Sequence, residues 1–149
     1  MNKPVTKTQA AILSSRSVYW MNVKSVSDGM AKTERAIKAS TNAKLGKVVK
    51  VGRLKGARIF TLTLEERATC DNSCAHWSTC FGNNMPFATR YKMDDALITQ
   101  IEGDLKFYNA KGKSFLVRLH ILGDFPSVEY VAFWARMLNK FEFLNVYGY

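Results

Sequence analysis

No apolar run in this chain approaches the ~18 residues that a membrane-spanning helix needs. The opening stretch MNKPVTKTQAAILSSRSVYW lacks both the apolar centre and the small-residue cleavage site of an export signal. Both absences point to the cytoplasm. P-loop, G-x-G-x-x-G, G-x-S-x-G and H-E-x-x-H segments are also missing, which leaves hydrolase chemistry with little support. Histidine is limited to His76 and His120, and proline occurs only three times. Acidic residues are scarce at one end: residues 1–58 hold Asp28 and Glu34 against 13 Lys and Arg. That third carries +11, and the remainder carries −1.

What is present suits one globular domain. With 47% hydrophobic and 23% charged residues, wholesale disorder is not expected. A chain of 149 residues can bury about two-thirds of its unfolded surface. The charge asymmetry divides it into a basic N-terminal extension over residues 1–46 and an α/β core over 47–149. Residues 1–30 read as a loosely packed lead-in, and 31–41 (AKTERAIKAST) suit a short basic helix. Two β-like runs, 47–51 and 57–64, flank the turn GRLKG. In the second run Phe60, Leu62 and Leu64 alternate with Ile59, Thr61 and Thr63. A helix is expected over 93–108, with Asp94 and Asp95 at its positive end and Leu97, Ile98, Ile101, Leu105 and Tyr108 in one stripe. A strand follows over 114–122. A helix then starts at the cap Ser127, with Val131, Trp134, Ala135, Leu138 and Phe141 as its buried face. A third strand spans 143–149. This order calls for a parallel sheet with helical crossovers, whose strand ends collect functional residues.

All three cysteines, Cys70, Cys74 and Cys80, fall within eleven residues directly after the first core strand. An odd number of thiols with no sign of export argues against disulfides. Clustered thiolates are held together best by a soft cation, which offsets their mutual repulsion. Zinc would need a fourth ligand, which His76 could supply, although C-x3-C-x-H-x3-C is not a common zinc spacing. A [4Fe–4S] cluster can be held by three cysteines, leaving one iron open. Buried or redox thiols without metal are the third alternative.

A three-cysteine loop after the first strand, then a helix, then a strand ending in Gly123-Asp124, resembles the opening of radical S-adenosylmethionine enzymes. The resemblance spans about residues 57–149. It implies that Cys70, Cys74 and Cys80 bind the cluster and that S-adenosylmethionine chelates the open iron. It also implies a partial β/α-barrel-like parallel sheet, with Gly123-Asp124 in place of a Gly-Gly-Glu-type segment that meets the methionine amino group. The spacing here is C-x3-C-x5-C, where that family usually has C-x3-C-x2-C. The segments LTLEERATCDNSCAHWSTCFGNNM and RLHILGDF look closer still to an uncharacterised family of phage and bacterial proteins. Its members are longer, with further cysteines toward the C-terminus, which makes this chain either a fragment or a short natural relative.

Other residues admit two readings each. Trp77 could stack on a cofactor's adenine, shield a cluster from water, or simply plug the loop. Phe81-Gly82-Asn83-Asn84 reads as a turn using positive φ, and Arg90, Tyr91 and Lys92 read as surface. Arg118 and His120 share a strand face with Leu122. They either lie beneath the site, binding an anionic group or orienting Asp124, or form an internal hydrogen-bonded pair. Lys44, Lys47, Lys50, Arg53, Lys55 and Arg58, with Lys32, Arg35 and Lys38 before them, either grip nucleic acid or a partner protein, or form a solvated face. A small basic phage-type binding protein with zinc or bare thiols is therefore the alternative to an iron–sulfur protein.

Overall fold

A computed structural model of the chain describes residues 23–148, except Asn72, Trp77, Ser78 and Pro86. The lead-in over 1–22, and Trp77, therefore lie outside the described residues. In chain order the elements are β1 (Val23–Lys24), β2 (Lys38–Ala39), β3 (Arg58–Leu62), α1 (Glu66–Thr69), β4 (Arg90–Tyr91), α2 (Asp95–Asn109), β5 (Phe115–Leu119), α3 (Val128–Lys140) and β6 (Leu144–Tyr147). The fold is mixed α/β. One sheet has the order β2-β3-β5-β6, with β3, β5 and β6 parallel and β2 antiparallel to β3. It is open, with β2 and β6 at its edges. The parallel pair β1–β4 continues it beyond the end of β3, where the Tyr91 amide donates to the Thr63 carbonyl and the Glu65 amide to Tyr91, each at 3.0 Å.

Strand alternation decides which face is dry. Phe60 pairs with Val117 and Leu62 with Leu119, and all four are buried. The stripe of α2, Leu97, Ile101, Leu105 and Tyr108, joins them in one core, with the Tyr108 ring 4.1 Å from that of Phe60. Burying each of these side chains contributes about 1.5–3 kcal/mol. The helix starts follow capping chemistry. Asp94 accepts from the Leu97 amide (2.8 Å) and Ser127 from the Tyr130 amide (3.2 Å).

Three expectations need correction. Residues 31–41 form no helix, because α2 and β3 claim their backbone. The buried Asp104 accepts from the Ala36 and Ile37 amides (2.8 and 3.0 Å), Tyr108 donates to the Ile37 carbonyl (2.8 Å), and the Ser40 amide donates to Ile59 (2.9 Å). Those long-range bonds outweigh local helix propensity. The face of α3 is turned by about one residue. Tyr130, Phe133, Trp134, Met137 and Phe141 are buried, while Ala135 is exposed and Val131 and Leu138 stay 49% and 41% exposed. The helix is apolar on two adjacent sides, and the larger aromatic stripe takes the core. Run 47–51 forms a hairpin arm with β3 through Val49 and Ala57, and Lys47 and Ile59, but only Val48 is bridged to Arg58.

Asp104 is fully buried, and its pKa is raised by burial while the two amides, Gln100 and Arg35 pull it down. Asp104→Ala would strand two buried amides. A loss of about 2–4 kcal/mol in urea unfolding is expected, with Asp104→Asn retaining part of it.

Candidate functional site

The site grows from the carboxyl end of β3. After Leu64 the chain turns into α1, which ends with Cys70 as its C-cap, the Cys70 amide donating to the Glu66 carbonyl (2.9 Å). From here Asp71 accepts from the Ser73 amide and hydroxyl (2.8 Å each), and the Cys74 amide donates to the Asp71 carbonyl (3.1 Å). Cys80 then opens a 3-10 turn, Phe81–Asn84. Cys70 and Cys80 are half-buried, while Cys74 and His76 are exposed.

Arg90 ties this loop together. Expected at the surface, Arg90 is instead fully buried and its neighbour Tyr91 nearly so. Its guanidinium uses all five N–H donors. Nε donates to Glu66 Oε2 (2.8 Å) and Nη2 to Glu66 Oε1 (3.1 Å) and the Gly82 carbonyl (2.9 Å). Nη1 donates to the carbonyls of Met85 and Ala88 (2.9 Å each). Acceptors before Cys70 and after Cys80 thus share one cation. Gly82 is required for closeness rather than for positive φ: a Cβ there would run into the Glu66 carboxylate and Leu122.

The turn after β5 arrives at the same place. Gly123 has φ +91°, and a Cβ on it would stand 2.7 Å from both Leu64 Cβ and Thr69 Oγ1. The Asp124 amide donates to Thr69 Oγ1 (3.2 Å), and the Thr69 hydroxyl donates to the Glu65 carbonyl (3.0 Å). Asp124 itself is exposed, its Oδ1 accepting from the Phe125 amide (2.7 Å). Its charge reaches Cys70. Burial pushes the Cys70 thiol up to about 12, helped by the negative potentials of Asp124, Cys80, Glu66 and Cys74. Cys70 is therefore protonated at neutral pH, and a metal would have to displace that proton. Among the described residues, no three His, Cys, Asp or Glu side chains are grouped so as to hold a metal ion.

His120 finds its partner in α3 rather than in Arg118. Its Nε2 lies 3.0 Å from the Tyr130 hydroxyl, and its ring packs on Tyr130 and Phe125. Leu122, expected beside it on the polar face, is buried because the strand ends at Leu119. On the sheet face opposite Phe60 and Val117, Thr61, Arg118 and Tyr147 form one half-buried row across β3, β5 and β6. The six hairpin cations, Lys44, Lys47, Lys50, Arg53, Lys55 and Arg58, are all exposed. Sequence reasoning missed Arg90, Glu66 and Thr69. The first two stand 24 positions apart, and nothing local marks them as a pair.

Arg90→Leu would leave Glu66 buried without its counter-charge, and a loss of about 3–5 kcal/mol is expected in chemical denaturation. Burial lowers the His120 pKa to about 4, opposed by Asp124, whereas an unperturbed imidazole titrates at 6.5. Between these values the unfolded chain binds the extra proton. His120 should therefore cost stability as pH falls from 6.5 to about 4, by up to ~3 kcal/mol, with no cost above that window. Urea titrations of the protein and of His120→Gln should differ by about that amount in the stability each loses across this range. No helix of the described residues is long and apolar enough to cross a membrane. Comparisons with protein-family models, with curated proteins and with solved structures found no match to the chain.

Proposed function

We propose that this is a metal-binding protein in which Cys70, Cys74 and Cys80 hold an iron–sulfur cluster beside the Gly123-Asp124 turn. The observation that carries the reading is the junction at Thr69. Through it, the cysteine loop after β3 and the glycine–acid turn after β5 meet at the carboxyl ends of adjacent parallel strands. In parallel sheets that is where ligands collect. The parallel strands β3, β5 and β6, linked by α2 and α3, are read as the opening units of a β/α barrel.

The chain's own residues have separable tasks. Three thiols on one loop suit a soft, thiophilic metal, and the protonated Cys70 makes uptake dependent on that metal's displacing a proton. Arg90 and Glu66 hold the two ends of the loop, and Cys74 is left at the surface to be drawn in. The backbone of Gly123 lets the turn approach α1, and the exposed Asp124 carboxylate would hold the amine of a small-molecule cofactor. By resemblance to radical S-adenosylmethionine enzymes, the bound cluster would supply an electron to S-adenosylmethionine. Thr61, Arg118 and Tyr147 would line the face open to a substrate.

Purification without oxygen, followed by visible spectroscopy and iron, sulfide and zinc analysis, tests the reading. A brown protein with about four irons and four sulfides per chain is expected. Cys70→Ala, Cys74→Ala and Cys80→Ala should each lose most of the iron. Asp124→Ala should keep it and weaken S-adenosylmethionine binding. Stoichiometric zinc, or no metal, would contradict the cluster.

A further inference from the structure

From Arg35 to Leu64 the chain carries eight Lys or Arg and no Asp or Glu. The fold gathers the later part of this run into the hairpin whose second arm is β3. Its backbone pairing through Val49 and Ala57, and through Lys47 and Ile59, sets which side chains point out. Ala57 and Ile59 are buried, and Val49 is half-buried beside them. The opposite side bears Val48, Lys50 and Arg58, and the tip adds Val51, Arg53 and Lys55, all exposed. Lys44 and Lys47 extend the cationic surface at the base. Among the described residues, none of these six cations is paired with a carboxylate. By contrast, Lys24, Arg35, Lys38, Arg90 and Lys140 are so paired.

We infer that this ribbon is a docking surface for the sugar–phosphate backbone of nucleic acid, independent of the metal site. The charge is complementary and unopposed, and a two-stranded ribbon is narrow enough to enter a groove of duplex DNA. Four of the six cations are lysines, which act on phosphates as point charges, so binding is insensitive to base sequence. A lipid surface fits less well. No Phe, Tyr or Trp occurs from residue 35 to 59, whereas interfacial segments anchor with such side chains.

Fluorescence anisotropy with a labelled 20-base-pair DNA duplex of arbitrary sequence tests this on the full chain. If six phosphates are neutralised, affinity should fall ~10³-fold between 50 and 200 mM KCl. The slope of log affinity against log salt should be about −5. The triple variant Lys50→Gln/Arg53→Gln/Lys55→Gln should flatten that slope by about 3 while keeping the parent's circular dichroism and melting temperature. A variant with equal charge loss at exposed positions outside this run, Lys32→Gln/Lys92→Gln/Arg136→Gln, should bind as the parent does. The inference is overturned if the two variants lose affinity equally, if the hairpin variant binds as the parent, or if binding is insensitive to salt. It is also overturned if phosphatidylserine vesicles outcompete the duplex at equal phosphate concentration.

Discussion

The five-donor grip of Arg90 is the constraint on which the rest of the cysteine region depends. A guanidinium taken fully out of water is costly unless every donor is answered, and here a bidentate carboxylate and three backbone carbonyls answer them. Each acceptor belongs to a different part of the loop: Glu66 precedes the first cysteine, and Gly82, Met85 and Ala88 follow the last. The cation therefore fixes where the loop leaves the core and where it returns. Between those points Asp71, Ser73, Cys74, Ala75, His76 and Thr79 are exposed, while Cys70 and Cys80 are half-buried. Gly82 belongs to the same device, because any side chain there would push Glu66 off the guanidinium.

A second buried charge, Asp104, does comparable work for the basic segment before β3. Asp104 captures the amides of Ala36 and Ile37 from the middle of α2, and the Arg35 guanidinium reaches the same carboxylate (3.4 Å) while lying 3.9 Å from the Phe107 ring. This anchors the basic segment as strand rather than helix and sets β2 against β3. The hairpin of residues 47–58 then shares β3 with the cysteine loop, at opposite ends of one strand. A cationic ribbon and a thiol-bearing mouth are thus held at a fixed separation by five residues of regular structure.

Much of the fold was legible in the residues. The alternation in β3, the capped stripe of α2, the Ser127 start of α3 and the apolar run of β5 each follow from period and end chemistry, and each is seen. What failed did so for identifiable reasons. The segment 31–41 has helical periodicity, but a carboxylate 68 positions away takes its amides. Two apolar stripes compete on α3, and periodicity cannot choose between neighbours. Arg90 looked like a surface residue because a buried arginine is recognisable only with its partners in view. Of the candidate site, the cysteines and Gly123-Asp124 were marked by composition and turn chemistry. Thr69, which joins them, is one of several threonines with no local signature.

The proposed function reduces to three thiols sharing one cation, with Cys70 surrendering a proton that burial and Asp124 hold tightly. Alkylation of the anaerobically purified protein, read by mass spectrometry at each cysteine before and after chelation, addresses this directly. The account predicts that all three cysteines are protected while the metal is bound, and that its removal frees the exposed Cys74 first, with Cys70 following slowly because its thiol stays protonated. The exposed Cys74 reacting at an unprotected rate while the other two stay shielded would contradict it.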